Sequence, residues 1–501
     1  METLPIVQQS LQHLGRIAVV DEAGQHTYAE LLERSAQTAG CLLENVSDLK
    51  EARVAFLIPP SMDHVTLQWG IWRAGGIAVP LCTQHPAREL EYTIDDSAAS
   101  IVIAHPEFED RLRPIAEARG LRFLLSPALE VEAMDSKPVM PRVDASRRAM
   151  LLYTSGTTNR PKGAVTTHKI IASQIQSLVQ AWQWTQHDHI LHVLPLHHLH
   201  GVLNAMCCAL WSGATCEFLP KFEEDRVWAR IIAGKGLTLF MAVPTIYQRL
   251  TRAWDRADSD CQRSMTDGCR RLRLMISGSA ALPVPTLEKW REISGHTLLE
   301  RYGMTEIGMG LSNPLHGERR PGCVGTPLPG VEVRLVDESN AAVPDGQAGQ
   351  IQVRGSTMFQ EYWRKPDATA DAFTADGWFK TGDVAEREAG VYRILGRDSV
   401  DIIKTGGYKV SAFEIEDVLR THSDIEECAI VGVEDEEWGQ RVAAVVVLRS
   451  GCKLDLDSLR YWCKQLLAPY KVPSLLRIKD ALPRNAMGKI MKPELSKQFE
   501  T

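Results

Sequence analysis

The chain has 501 residues, 44% hydrophobic and 24% charged, with a net charge of −7 and eleven cysteines. That length is too great for one hydrophobic core, so two or more domains are expected. An acidic balance without a run of Lys or Arg excludes the electrostatic footprint of a nucleic-acid binder. Scattered cysteines without CxxC spacing argue against a disulfide framework or a zinc site and fit a reducing cytosol.

In chain order, the first twenty residues lack both the basic-then-apolar pattern of a secretory signal and the Arg- and Ser-rich pattern of a transit peptide. The stretch 201–215 is too short to span a bilayer. A cytoplasmic protein without a membrane span is the expectation. RVAFLIPP (53–60) reads as a buried strand closed by two prolines, and 61–75 as a helix with a Ser cap and a glycine stop. Further strands are predicted at 77–81, 99–105, 149–153, 238–243 and 273–278, with helices between them, as in layered α/β structure with parallel strands. From about 325 to 396 short strands such as 331–337 and 349–355, separated by Gly, Pro and Asp turns, suggest antiparallel β structure. After Gly396-Arg397 the order strand, helix (414–422), strand, strand, helix, strand predicts a small α+β unit. The expected division is therefore 1–396, layered α/β plus a small antiparallel β part, and 397–501, a small mobile C-terminal domain.

YTSGTTNRPKG (153–163) follows a predicted strand and precedes a predicted helix at 168–182. Its backbone N–H groups, hydroxyls and Lys162 suit a polyphosphate. It is not a Walker loop: that pattern demands Gly at 161 and Ser or Thr at 163, where the chain has Pro161 and Gly163. The loop resembles the phosphate loop of the adenylate-forming superfamily of acyl-CoA synthetases, luciferases and peptide-synthetase adenylation domains. PLHHLHG (195–201), SGSAALP (277–283), RYGMTE (301–306), TGD (381–383), GRDSVDIIKTGGYKV (396–410) and PRNAMGKIMK (483–492) follow in the superfamily's order, across essentially the whole chain.

The resemblance implies a carboxylate attacking the α-phosphate of ATP with Mg²⁺ present, followed by transfer of the acyl group to coenzyme A. It implies phosphate contacts from Thr154, Ser155, Gly156, Thr157, Thr158, Lys162 and Thr305, and a magnesium-linked Glu306. Gly278, Ser279, Ala280 and Tyr302 would line the adenine slot, Asp383 and Arg397 would meet the ribose, and Ser277 and Gly303 would also belong to the nucleotide site. Lys489 would bridge the attacking carboxylate and the α-phosphate, and His198 would border the acyl site, with His197 and His200 nearby. Ser399 would be the hinge, where relatives carry Asp or Lys, and Lys404, Gly406 and Gly407 would serve the thiol step. Asn159 replaces the usual glycine of the phosphate loop. Asparagine tolerates positive φ, so a left-handed backbone is expected there.

The acid is read from two arginines. Arg301 precedes the Tyr-Gly-Met-Thr-Glu run. Arg249, in a predicted helix starting after Pro244, lies beside an apolar stripe of Ile246, Leu250 and Ala253. An arginine entering an acyl pocket demands an anion. With the surrounding motifs, both resemble those of malonyl-CoA synthetases, which implies that Arg249 and Arg301 hold the distal carboxylate of malonate and that methylmalonate is tolerated. Two other readings stay open here: a ligase for another short or medium acid, and an enzyme loading a separate carrier protein. No obligate protein partner is expected.

Overall fold

The computed structural model describes residues 4–126, 139–154, 161–405, 408–485 and 488–499. Among these, strands gather into four sheets. The largest runs Thr326–Pro327, Gly308–Ser312, Leu299–Met304, Leu274–Ser277, Leu239–Ala242, His189–His192, Thr215–Phe218, Ile17–Asp21, Gly24–Thr27. It is parallel from Leu299–Met304 to Ile17–Asp21 and antiparallel at both edges. A second sheet runs Glu361–Tyr362, Lys162–Thr167, Arg148–Thr154, Ile77–Pro80, Arg53–Leu57, Ile101–Ala104, Arg122–Leu125. Strands Ile77–Pro80, Ile101–Ala104, Leu239–Ala242 and Leu274–Ser277 are buried at every position. That burial accounts for their unbroken apolar sequences, because helices cover both faces of a parallel sheet.

The expected strands and the 61–75 helix are present, the helix as Met62–Arg73. Among the strands not predicted, one borders the phosphate loop. Between the phosphate loop and helix His168–Trp182, Lys162–Thr167 pairs antiparallel with Arg148–Thr154. The Thr167 hydroxyl then caps the helix, accepting from the Ile170 N–H at 3.1 Å. The antiparallel part is a four-stranded sheet, Val331–Val336, Gly349–Gly355, Phe379–Glu388, Val391–Arg397.

The last sheet, of residues 402–478, holds Tyr408–Ser411, Ile402–Thr405, Gly439–Leu448 and Ile425–Asp435, with Leu475–Ile478 added parallel to Gly439–Leu448. Its opening is a hairpin rather than a single strand. The helix after it is Ala412–Leu419 instead of 414–422, because Ser411 caps it by accepting from the Glu414 N–H. Two apolar cores draw on residues 403–499, whereas the other three draw on residues 4–394. No described helix is long and apolar enough to cross a membrane.

Candidate active site

Four parallel strands, His189–His192, Leu239–Ala242, Leu274–Ser277 and Leu299–Met304, end on one side of the large sheet. Ligands of open α/β sheets bind outside the carboxyl ends of strands, and the predicted motifs emerge there. PLHHLHG follows the first strand, helix Pro244–Arg256 the second, Gly278-Ser279-Ala280 the third, and Thr305-Glu306 turns between Leu299–Met304 and Gly308–Ser312.

Among the residues expected to meet the nucleotide, the described carboxylates have partners. Asp383 and Arg397 face each other in register across two antiparallel strands. The Arg397 Nε donates to Asp383 Oδ1 at 2.9 Å, and the Tyr302 hydroxyl donates to Oδ2 at 2.6 Å. Burial pulls against the Arg397 charge, but Asp383 outweighs it and holds the guanidinium pKa above its ordinary value. A carboxylate has about four acceptor positions, so two hydroxyls can still be received. Glu306 is buried, which raises its carboxyl pKa, and its Oε1 accepts from the Tyr362 hydroxyl at 2.8 Å. Lys162 sits with Nζ 4.9 Å from the centre of the Tyr362 ring, and its charge reaches Glu306. The sequence reading missed Tyr362, which an edge strand brings beside Lys162–Thr167. Thr154 ends its strand near the Lys162 carbonyl. Ser155, Gly156, Thr157, Thr158 and Asn159 lie outside the described residues, as do Gly406 and Gly407.

The acyl side is different. Arg301 is 4% exposed, its Nε has no partner, and its Nη2 reaches Ser279 Oγ at 3.5 Å, the limit of a hydrogen bond. Desolvation pulls its pKa down to about 9, and no described carboxylate opposes that. It therefore remains a cation at neutral pH. Its neighbour Glu300 lies on the other face of the strand, as successive strand residues do, and accepts from the Gly322 N–H. Burial raises the Glu300 pKa to about 8. The guanidinium lies across Gly278, where a Cβ would meet Arg301 Cζ at 2.4 Å. Ser279 takes a left-handed φ of +70°, strain typical of a site that the surrounding fold holds in place. The Ser279 hydroxyl meets His200 Nδ1 at 3.2 Å, while the His200 Nε2 is unpartnered.

Arg249 already has a partner. It forks onto Glu224 at 2.6 and 2.9 Å, lies 4.6 Å over the Phe222 ring, and is half exposed. The buried stripe of its helix is Pro244, Tyr247, Leu250 and Ala253, which puts Arg249 roughly 130° from the stripe's centre. Ile246, which the sequence reading counted as stripe, is only partly buried.

Lys489 opens onto the cleft. Desolvation foremost lowers its pKa, with Arg397 and Arg301 opposing its charge and Asp383 and Glu306 supporting it, so it feels both sides of the site. Its turn rests on helix Pro244–Arg256: a Cβ at Gly488 would lie 3.9 Å from Thr245 Oγ1. Burial, then Lys489, pulls the His198 imidazole down to about 3, so it is neutral. His197 packs on it with ring centroids 4.0 Å apart. His200 opens an eight-residue π-helix, His200–Cys207, a rare form that recurs at functional sites. Among the described residues no group of three or more His, Cys, Asp and Glu is placed to hold a metal. Ala280 and Lys404 are exposed, Thr305 and Gly303 half-buried, and Ser399 sits in an exposed turn.

Residues 6–363 match the family described as AMP-binding enzyme, and residues 414–489 that described as AMP-binding enzyme C-terminal domain. The malonate–CoA ligase ACSF3, mitochondrial, of Mus musculus is 49% identical over 99% of this chain and 91% of its own. ATP-bound MatB from Rhodopseudomonas palustris superposes with a TM-score of 0.91 at 34% identity, covering 100% of this chain and 99% of that one. Apo MatB from the same organism, at the same identity and coverage, superposes with a TM-score of 0.81. The arrangement of this chain is thus nearer the ATP-bound form. With both parts matched in order along nearly the whole length, the chain belongs to the AMP-binding enzyme family.

Proposed function

We propose that the chain is a malonate:CoA ligase that consumes ATP and proceeds through a malonyl-adenylate. The observation that carries the reading is Arg301, a buried cation without a counter-ion at the acyl end of the cleft. A cation held this way is costly until an anion arrives. The distal carboxylate of a short dicarboxylic acid would supply one. The mouse relative, named for malonate, supports the same choice. Arg249 has no part in this site as arranged, because Glu224 already satisfies it.

In the first step a carboxylate oxygen of malonate forms a bond to the α-phosphorus, and the bond from that phosphorus to the bridging oxygen of pyrophosphate breaks. Two anions meet, so fixed positive charge must offset the repulsion. Lys489 is the group to do this, a compact charge on a flexible stem. Asp383, held by Arg397 and Tyr302, receives the ribose hydroxyls. Lys162 and Thr305 meet the phosphates. Glu306 suits Mg²⁺, which is commonly bound by one or two carboxylates plus substrate phosphates; when bound, the ion neutralises phosphate charge. The neutral His198 borders the acyl group without competing for its carboxylate.

In the second step the thiol sulfur of coenzyme A bonds to the acyl carbon, the bond to AMP breaks, and the thiol proton leaves. We assign this step to a C-terminal domain of residues 397–501, turning near Ser399 to present the Lys404 hairpin. An extra methyl on the substrate changes discrimination by only about 1–3 kcal/mol, so methylmalonate is a second substrate. All eleven cysteines are unpaired, which fits a reducing compartment such as the cytoplasm.

CoA-thioester formation measured across acetate, malonate, methylmalonate, succinate and octanoate tests the reading. Malonate should lead. Acetate or octanoate ahead of malonate would sink the dicarboxylate claim. Lys489→Ala should stop adenylation yet still make thioester from supplied malonyl-adenylate.

A further inference from the structure

The segment carrying Lys489 is closed on itself before it meets the rest of the chain. The Met491 N–H donates to the Pro483 carbonyl at 2.9 Å, and the Asn485 N–H donates to the Lys489 carbonyl at 2.9 Å. The Lys489 N–H returns to Asn485 Oδ1 at 3.0 Å. Directly after this loop, Lys492 turns inward and is 7% exposed. Its Nζ donates to Asp401 Oδ1 at 2.6 Å, lies 2.7 Å from Glu416 Oε1, and sits 4.8 Å from the Phe413 ring centre.

Asp401 has a second attachment. Its Oδ2 accepts from the backbone N–H of Arg397 at 3.1 Å, and its own N–H donates to the Arg397 carbonyl at 2.7 Å. Gly396 makes room for this approach: with φ +130°, a Cβ there would lie 2.4 Å from Asp401 Cβ. Arg397 in turn holds Asp383. A chain of bonds from 2.6 to 3.1 Å therefore runs Lys492–Asp401–Arg397–Asp383, from the base of the lysine loop to the carboxylate assigned to the ribose.

Stability alone does not account for Lys492. Taking an ammonium out of water costs several kcal/mol, and apolar residues of similar volume commonly serve as well or better. Glu416 does not depend on it, since Arg420 at 3.1 Å and the Ile430 N–H at 2.9 Å already engage that carboxylate. What the pair adds is register. The Arg397–Asp401 bonds also bracket Ser399, so they must open if the backbone turns there.

We propose that Lys492 is a positioning residue: through Asp401 it sets the Lys489 loop against Arg397 and the ribose subsite, and so serves adenylation but not thioester formation. This rests on the roles proposed for Lys489 and Asp383. The test compares wild type with Lys492→Met, Lys492→Arg and the isosteric Asp401→Asn. Malonate-dependent ATP–pyrophosphate exchange, thioester formation from supplied malonyl-adenylate, and thermal midpoint are measured for each. Wild type without malonate-dependent exchange would defeat the proposed function, a failure distinct from this one. Lys492→Met should lose about 100-fold in exchange, the scale of a 1 Å misplacement, with the KM for ATP and the thioester step unchanged. Asp401→Asn should show the same selective loss to a smaller extent, and Lys492→Arg should restore exchange in part. Equal loss in both half-reactions of Asp401→Asn, or full exchange in a folded Lys492→Met, would overturn the proposal.

Discussion

The two ends of the cleft handle charge in opposite ways. At the nucleotide end, Asp383, Arg397 and Tyr302 satisfy one another at 2.6 and 2.9 Å before any ligand arrives. At the end expected to take the acid, Arg301 is 4% exposed and no described carboxylate pairs with it, and the unpartnered Nε2 of His200 lies in the same neighbourhood. Under the proposed roles, a preformed network would fix shape for the nucleotide, and an uncompensated cation would store a demand that one class of acid meets.

The contrast is broken most directly at Arg301. Arg301→Met should cost about 2–5 kcal/mol of transition-state stabilisation with malonate, the scale for losing one partner of a buried charge pair. The KM for ATP should hold, and activity with propionate, which lacks the distal charge, should rise relative to malonate. The same variant should raise the thermal midpoint of the ligand-free protein, because it removes a buried charge that nothing opposes. Kinetics and melting together check this; a fall in midpoint would mean Arg301 has a partner in solution.

Asp383→Asn attacks the satisfied end. Hydrogen bonds to charged groups contribute about 1.5–3 kcal/mol, so the KM for ATP should rise while the KM for malonate changes little. Equal effects on both would erase the distinction between the ends.

The smallest effect concerns Glu300, back to back with Arg301 on one strand. Burial raises its pKa to about 8 from the ordinary 4.5. The folded state therefore binds the proton more tightly, and its stabilising contribution is complete below pH 4.5 and lost as pH rises through 8. Glu300→Gln should flatten that part of the stability–pH curve, read from melting midpoints between pH 5 and 9. An unchanged curve would show Glu300 already ionised in the fold.

Much of this was legible in the chain itself. Strands such as Ile101–Ala104 and Leu274–Ser277 were readable because burial on both faces leaves a continuous apolar run. The order of the motifs pointed to the AMP-binding enzyme family, since those motifs are short, chemically dense segments. Strand Lys162–Thr167 was missed because its first residues were read as the end of the phosphate loop, ahead of the helix at 168–182. Tyr362 was invisible, as its partner Glu306 lies 56 residues away with no spacing to link them.

The arginines mark the boundary most clearly. By itself the sequence determined a layered α/β scaffold of the AMP-binding enzyme family and singled out two arginines as candidates for the acid's distal carboxylate. Both looked equivalent, because periodicity gives a side chain's direction but not what waits there. Tertiary structure set them apart. It brought Glu224, 25 residues back, against Arg249, while it enclosed Arg301 with Gly278, Ser279 and His200 and no described carboxylate. It also joined Lys492 to Asp401 across 91 residues. Ion pairing depends on three-dimensional proximity and desolvation, and neither is written in local order.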